Sequence, residues 1–178
     1  LKIPVVTCSY DSKPGMATKM QARYAATVAV AHTPSTLRRA QLTGAPVRAE
    51  LRHLDRGASR AASRMRLGFS ADAKLVVVMG GSLGSAVLNS ATESLVAQMK
   101  SPSLANVAIL HIAGSRYMEG QYLASEIRRP DGSMMYQRIA YSSNMSDIYA
   151  AADLVVARAG ASTVAEIATV GIASVLVP

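Results

Sequence analysis

The chain has 178 residues, half of them hydrophobic, with 19 Lys and Arg against 11 Asp and Glu and a formal net charge of +8. That apolar content excludes a disordered basic tail, and the single cysteine, Cys8, excludes a disulfide framework or a Cys-based zinc cluster. An aromatic content of 4% without Trp argues against nucleic-acid binding by stacked bases, and the apolar runs are too short for a transmembrane helix. The start at Leu1 without methionine and the stop just after an apolar run indicate a piece of a longer protein.

Apolar periodicity predicts alternating strands and helices. In chain order these are a strand at 3–7, a helical segment at 16–31, a strand at 75–79, a helix at 88–99, a strand at 107–112, a helix at 117–128, a strand at 135–140, a helix at 145–152, a strand at 154–157, a helix at 164–169 and a strand at 173–177. Most of these strands are apolar throughout, as parallel strands covered on both faces should be. The pattern from residue 74 predicts an α/β fold with a Rossmann-like, doubly wound parallel sheet.

The basic residues concentrate in the first part of the chain. Residues 1–68 carry 12 Lys and Arg against 3 acids, whereas residues 69–178 carry 7 against 8. Five arginines recur at every fourth position, which on a helix makes one basic stripe: Arg48, Arg52, Arg56, Arg60 and Arg64. The stripe is either an anion-binding surface or a solvated helix face, and we favour the solvated face.

A glycine-rich loop, GGSLG at 80–84, follows an apolar strand and precedes a helix. Such loops let the backbone approach a phosphate at a helix N-terminus, and Ser82 adds a hydroxyl donor. The loop is not a Walker A motif, and it fails as a dinucleotide fingerprint because Met79 stands where the first glycine should be. The alternative is a tight turn capped by Ser82 or Ser85, and spacing leaves both interpretations open.

A second turn, RAGASTVAE at 158–166, also follows an apolar strand. Thr163 and Glu166 fit a capping box, which is one explanation for the glutamate. The other is that Glu166 accepts hydrogen bonds from sugar hydroxyls, because a carboxylate offers two acceptor oxygens to a diol. Spacing does not separate the two.

Other polar residues give weaker signals. The GAPVR segment at 44–48 reads as a linker or turn, and Arg48 is either a surface residue or a bidentate clamp for a pyrophosphate. His32, His53 and His111 lack metal-ligand spacing, and His111 in an apolar strand is predicted to be a hydrogen-bonded core residue. Cys8 has no neighbouring base that would make it a nucleophile.

Short motifs in a characteristic order run through nearly the whole chain. They are PVV at 4–6, PG at 14–15, GAPVR at 44–48, GGSLG at 80–84 with LN at 88–89, ADLVV at 152–156, RAGASTVAE at 158–166 and GI at 171–172. In this order they resemble the MurG family of bacterial glycosyltransferases. The resemblance implies a GT-B fold, in which two Rossmann-like domains face each other across a cleft. Residues 1–47 would end an acceptor-binding domain that is mostly missing, and residues 48–178 would form a donor-binding domain that is incomplete at its C-terminus.

The family is an inverting hexosyltransferase of peptidoglycan synthesis. The resemblance implies transfer of N-acetylglucosamine from UDP-N-acetylglucosamine to undecaprenyl-pyrophosphoryl-muramyl-pentapeptide, at the cytoplasmic face of the bacterial inner membrane. No cofactor, metal or nucleic-acid partner is expected. The family's catalytic base would lie before residue 1, so this chain is expected to bind the nucleotide without completing the transfer.

By position, the resemblance also assigns site residues. Those implied to contact the donor phosphates are Arg48, Gly81, Ser82, Gly84, Ala161, Ser162 and Thr163. Glu166 would bind the ribose hydroxyls, and the backbone at Ser142 would read uracil. These assignments agree with the chemistry of the side chains, since an arginine suits a phosphate and a carboxylate suits a diol.

One position departs from the family pattern. The chain has CSYD at 8–11 where the family has His-Glu-x-Asn, so Asp11 stands in place of an asparagine that reaches the donor. A carboxylate there would repel a pyrophosphate to which an amide would donate. This predicts an altered donor site, and it keeps open a divergent or non-catalytic UDP-sugar-binding module. A nicotinamide-binding domain is a more distant alternative, disfavoured by Met79.

Overall fold

The structure is a computed structural model that describes residues 3–99, 101–118 and 125–178. The chain divides into two compact units, one up to Val47 and one from Arg48 onward. Residues 43–48, between the last strand of one unit and the first helix of the other, lie outside regular secondary structure, and Gly44 has a φ of +76°. The turn or linker expected at 44–48 is therefore confirmed.

The first unit is a small parallel sheet with one helix. Its elements are β1 (Val6–Ser9), α1 (Met16–Tyr24), β2 (Thr27–Val30) and β3 (Ala40–Leu42). The strands follow the order β1-β2-β3, so β2 pairs on both sides. The buried core consists of Ala22, Ala25, Val28, Val30 and Leu37.

Two sequence predictions for this unit are wrong in extent. The helical segment predicted at 16–31 ends at Tyr24, because residues 27–30 pair with both neighbouring strands. Three of those four residues are Thr or Val, which favour extended backbone. The strand predicted at 3–7 begins only at Val6, after Pro4, which has no N–H to donate to a ladder.

The second unit is a six-stranded sheet with helices. Its elements are α2 (Ala49–Arg52), α3 (Arg56–Leu67), β4 (Lys74–Met79), α4 (Ala86–Ala97), β5 (Val107–Ile112), β6 (Glu126–Arg128), β7 (Met134–Ile139), α5 (Met145–Ala151), β8 (Leu154–Arg158), α6 (Ala161–Val170) and β9 (Ala173–Val177). The strand order is β6-β7-β5-β4-β8-β9. Within the described residues, no helix is both long and apolar enough to span a membrane.

The sheet is mixed rather than wholly parallel. Strands β4, β5, β7, β8 and β9 pair in parallel as predicted, whereas the edge strand β6 runs antiparallel to β7. The helix predicted at 117–128 is thus wrong at 126–128, where pairing with β7 imposes extended backbone. Residues 115–117 form a short 3₁₀ turn, and the part of that prediction at 119–124 lies outside the described residues.

The arginine stripe does not form a single helix, and part of it is buried rather than solvated. The helix breaks at residues 53–55, and Asp55 caps the N-terminus of α3 by accepting the Ala58 N–H at 3.0 Å. Arg64 on α3 is only 1% exposed, so the solvated-face interpretation is wrong for it. Arg56 also turns toward the protein and donates to the Ala152 carbonyl at 2.8 Å.

Asp153, at the start of β8, is the shared partner of two of these arginines. Its Oδ1 accepts from Arg60 Nη2 at 2.5 Å, and its Oδ2 accepts from Arg64 Nη2 at 2.6 Å and from the Leu75 N–H at 2.8 Å. Partial burial alone would raise the pKa of Asp153, but these donors and the arginine charges hold it below its ordinary value. Arg60 and Arg64 therefore attach α3 to the start of β8 rather than forming an anion-binding surface.

Candidate functional site

A cleft of about 210 Å³ opens in the second unit beside the carboxyl end of β4. Strand β4 lies between β5 and β8, so the chain runs first to one side of β4 and later to the other. This is the switch point at which doubly wound sheets bind ligands. The volume is below the roughly 300–1,000 Å³ common for ligand pockets, so the cleft is sized for part of a nucleotide-sized ligand.

Seven of the ten residues singled out from the sequence line this cleft. They are Arg48, Gly81, Ser82, Ser142, Ser162, Thr163 and Glu166. They come from four places in the chain: the start of α2, the loop after β4, the loop after β7 and the first turns of α6. The last three segments come together because parallel strands place their carboxyl ends at one edge of the sheet, and Arg48 joins them by pairing with Glu166.

Three of the ten are not among the residues that line the cleft. Ala161 is the first residue of α6, Gly84 packs against the Ala113 carbonyl, and Asp11 belongs to the first unit. We therefore assign none of these three residues a direct contact with a ligand in the cleft of the second unit.

Glu166 is the centre of the polar side of the cleft. Its Oε1 accepts from Arg48 Nε at 3.2 Å and Arg48 Nη2 at 3.0 Å, and its Oε2 accepts from the Tyr149 hydroxyl at 3.0 Å. The Glu166 side chain is 15% exposed and that of Arg48 is 39% exposed. The site thus pairs a largely shielded carboxylate with a more accessible guanidinium, which keeps further N–H groups for an anion.

The capping-box explanation for Glu166 is wrong. Helix α6 begins at Ala161 with Gly160 as its N-cap, so Thr163 already lies inside the helix. Gly160 has no side chain to cap the helix, and none of the first-turn residues is acidic. Glu166 lies in the second turn and its carboxylate is held by Arg48 and Tyr149, from other parts of the chain.

The glycines of the loop at 80–84 have different roles. A Cβ at Gly80 would lie 2.3 Å from the Ser85 nitrogen, and a Cβ at Gly84 would lie 2.0 Å from the Ala113 oxygen. These two glycines are required for packing. Gly81 has a φ of +85° and open space where a Cβ would be, and it is the loop glycine that lines the cleft. Ser85 takes the N-cap position of α4 as one interpretation expected, but its hydroxyl makes no capping hydrogen bond.

A buried polar chain supports this loop from below. Asn89 donates through Nδ2 to the Ala113 carbonyl at 3.0 Å, and its Oδ1 lies 2.9 Å from His111 Nε2. Because Oδ1 only accepts, His111 carries its proton on Nε2, and Nδ1 accepts from the Tyr136 hydroxyl at 3.1 Å. The prediction that His111 is a hydrogen-bonded core residue is confirmed.

The surroundings of His111 keep its imidazole neutral. Burial and the charge of Arg138 lower the pKa of His111 to about 4, while Glu93 acts weakly in the opposite direction. A neutral imidazole can accept at Nδ1 while donating at Nε2, which the chain of hydrogen bonds requires. The Ala113 carbonyl against which Gly84 packs is thereby fixed in place.

Sequence reasoning missed five residues that line the cleft. They are Met79, Ile112, Tyr141, Met145 and Tyr149. For Tyr149 a signal existed, since its hydroxyl lies within the apolar run at 148–152, and a buried tyrosine hydroxyl ordinarily finds a partner. Its partner, Glu166, is 17 residues away and could not be read from spacing.

Comparisons with known proteins agree on one family. Residues 75–178 match the family model described as the glycosyltransferase family 28 C-terminal domain. The UDP-N-acetylglucosamine--N-acetylmuramyl-(pentapeptide) pyrophosphoryl-undecaprenol N-acetylglucosamine transferase of Mycobacterium tuberculosis is 40% identical over 177 residues, which is 99% of this chain and 41% of that protein. The protein of the same name from Paenarthrobacter aurescens is 36% identical over 182 residues, covering all of this chain and 46% of that protein.

The fold has a counterpart among solved structures. The crystal structure of Acinetobacter baumannii MurG matches 99% of this chain and 46% of its own, with a TM-score of 0.60 at 24% identity. At that identity the likeness concerns the fold. The chain spans less than half the length of the curated relatives that it matches.

Proposed function

The chain belongs to the glycosyltransferase family 28 C-terminal domain family, and on that premise we propose that its second unit binds the UDP part of UDP-N-acetylglucosamine. For the whole protein we propose transfer of the N-acetylglucosamine to undecaprenyl-pyrophosphoryl-muramyl-pentapeptide, the activity that its relatives' names state. We place the protein peripherally at the cytoplasmic face of the inner membrane, where a nucleotide sugar meets a lipid-linked acceptor.

One observation carries the proposal. The cleft at the switch point combines the Glu166 carboxylate, the Arg48 guanidinium and the open backbone at Gly81. A carboxylate suits the ribose diol, while a guanidinium and backbone N–H groups at a glycine turn suit the pyrophosphate. These are the groups that a nucleoside diphosphate requires, and the cleft offers them side by side.

The remaining predicted residues take supporting roles in this proposal. Ser162 and Thr163 lie in the first turn of α6, where unpaired backbone N–H groups favour a phosphate. Ser82 offers a hydroxyl donor next to Gly81, and the backbone at Ser142 is proposed to read the uracil. We propose no direct donor contact for Gly84, whose packing against Ala113 instead shapes the loop.

In the proposed reaction the acceptor hydroxyl attacks the anomeric carbon with inversion. A carbon–oxygen bond to the acceptor forms as the bond to UDP breaks, and negative charge grows on the departing diphosphate. Arg48 and the N-terminus of α6 would stabilise that charge, because they are fixed before the reaction begins. We assign the general base to no residue of this chain.

Asp11 favours a second candidate function. It is the residue that stands where the resemblance places a donor-contacting asparagine, so this chain could belong to a divergent or non-catalytic UDP-sugar-binding protein. The second candidate predicts that Asp11→Asn strengthens binding of both UDP and UDP-N-acetylglucosamine, because it removes a negative charge that would repel the pyrophosphate common to the two ligands. If Asp11→Asn changes neither affinity, this candidate loses its support.

Calorimetric titration of the 178-residue chain tests the proposed site. We expect UDP to bind and NAD not to bind, and Glu166→Gln to weaken UDP binding by about tenfold, since it removes a charged hydrogen-bond acceptor. Glu126→Gln, at an exposed position on edge strand β6, is the matched control and should bind UDP normally. Binding of NAD in preference to UDP would overturn the proposal.

A transfer assay with UDP-N-acetylglucosamine and a lipid-linked acceptor addresses the activity. We expect this chain to bind the nucleotide without measurable transfer, because it covers less than half the length of the relatives named as transferases. Transfer by the chain alone would contradict that expectation.

A further inference from the structure

Tyr149 is the buried neighbour of the carboxylate in the cleft. It lies on α5 and is 0% exposed, and its side-chain hydroxyl donates to Glu166 Oε2 at 3.0 Å. The next residues on either side, Ile148 and Ala150, are each 1% exposed. The ring is therefore enclosed, and its hydroxyl has little freedom to leave the carboxylate.

The backbone of Tyr149 is held as well as its side chain. Arg56 Nε donates to the Tyr149 carbonyl at 3.2 Å, which attaches α5 to α3 at this residue. The N-terminus of α5 is capped by Asn144, whose Oδ1 accepts from the Asp147 N–H at 3.2 Å. The hydroxyl is thus presented to Glu166 from a helix that is capped at its N-terminus and attached to α3 through Arg56.

The hydroxyl acts as a donor. Burial, together with the neighbouring Glu166 carboxylate, raises the pKa of Tyr149 above its ordinary value, so the phenol keeps its proton at neutral pH. A protonated phenol beside an ionised carboxylate donates to it and fixes the direction of one carboxylate edge.

Counting acceptor positions shows what remains for a ligand. A carboxylate has about four acceptor positions, two on each oxygen. Arg48 takes two on Oε1, and Tyr149 takes one on Oε2. One position remains, on Oε2 next to the tyrosine hydroxyl, and Glu166 lines the cleft.

We propose that Tyr149 is a positioning residue that aims the remaining acceptor of Glu166 at a ribose hydroxyl, so that the preference of this chain for ribonucleotides depends on the Tyr149 hydroxyl. The inference rests on the proposed binding of UDP. It extends that proposal, because it makes the selectivity for ribose a property of two residues on different helices rather than of the Glu166 carboxylate alone.

The test compares the binding of two ligands to the unaltered chain and to a variant that lacks the Tyr149 hydroxyl. UDP and 2′,3′-dideoxy-UDP, which lacks both ribose hydroxyls, are titrated calorimetrically into the chain and into Tyr149→Phe. We expect the unaltered chain to prefer UDP by about tenfold, the effect of one strong hydrogen bond to a charged group. Tyr149→Phe should lower UDP affinity by about fivefold and change the affinity for the dideoxy analogue by less than about twofold.

Tyr136→Phe is the matched control. It removes another buried tyrosine hydroxyl from the same unit, one that contacts His111 rather than Glu166. We expect the preference for UDP to be unchanged in this variant. In Glu166→Gln, adding Tyr149→Phe should cause no further loss of UDP binding, because the two substitutions disrupt the same interaction.

The outcomes separate this inference from the function on which it rests. If the chain binds UDP, and Tyr149→Phe lowers the affinity for both ligands by the same factor, the positioning role is overturned and the proposed function stays intact. A chain that does not bind UDP at all would overturn both.

Discussion

Replacing Arg64 by methionine should remove much of the stability of the second unit. Arg64 Nε donates to the Ala151 carbonyl at 3.0 Å, and its Nη1 donates to the carbonyls of Ser70, Ala71 and Ala73 at 3.2, 2.5 and 2.6 Å. Methionine fills a similar apolar length but donates to none of them. At about 1 kcal/mol for each acceptor left without a partner, Arg64→Met should cost about 4 kcal/mol.

The broken ion pair between Arg64 and Asp153 adds less to this loss of stability than a broken buried ion pair usually would. Asp153 keeps its hydrogen bonds from Arg60 and from the Leu75 N–H after the substitution, so its charge is still compensated. A loss of about 4 kcal/mol is a large part of the roughly 5–15 kcal/mol that stabilises an ordinary domain. Arg64→Met should therefore unfold at a much lower temperature or denaturant concentration.

Urea unfolding followed by circular dichroism measures this loss. Arg52→Met is the matched control, because Arg52 is exposed on α2 and should contribute within about 0.5 kcal/mol. A loss below about 1 kcal/mol for Arg64→Met, with the control unchanged, would refute the assignment of Arg64 as a buried link between α3 and the sheet.

Two further predictions concern the support of the glycine-rich loop. The pKa of His111 is about 4 in the folded chain against 6.5 for the free side chain, so below pH 6.5 the unfolded chain binds the proton first. The free energy of unfolding should then fall by up to about 3 kcal/mol between pH 6.5 and 4 and level off below pH 4. The variant His111→Gln should lack this part of the pH profile. If His111→Gln has the same pH profile as the unaltered chain, the result would count against a buried neutral imidazole. Gly84→Ala should cost clearly more stability than Gly81→Ala, because both take positive φ but only at Gly84 does a Cβ meet the Ala113 oxygen. For Gly81→Ala only the strain of about 1–2 kcal/mol applies, and equal losses in thermal unfolding would contradict the packing role of Gly84.

Much of the second unit could be predicted from local pattern. Strands β4, β5, β8 and β9 are short apolar runs, and the glycine-rich loop lies between β4 and α4 as expected. The sequence also indicated seven residues that line the cleft. The predictions of the strands and of the loop succeed because hydrophobic periodicity and glycine turns are properties of neighbouring residues, whereas the set of cleft residues was implied by the resemblance to a family.

Edge strand β6 shows where local pattern fails. Residues 126–128 have no strong signal of their own and become a strand only by pairing with β7. Strand β2 is a different case, because its Thr and Val residues themselves favour extended backbone and its pairing on both sides acts in the same direction. At β6 the tertiary partner decides the backbone conformation where the local pattern gives no signal.

The charged residues show most clearly which properties the sequence determined and which only the structure decided. Composition and spacing by themselves determined that the first 68 residues are strongly basic and that arginines recur every fourth position. Only the tertiary structure decided that Arg64 is buried against Asp153, and that Arg48 and Tyr149 hold Glu166. The physical reason is distance along the chain: Arg64 and Asp153 are 89 residues apart, and Arg48 and Glu166 are 118 apart. Spacing shows which side chains share a helix face, whereas the identity of the opposing charge depends on how the sheet brings remote segments together.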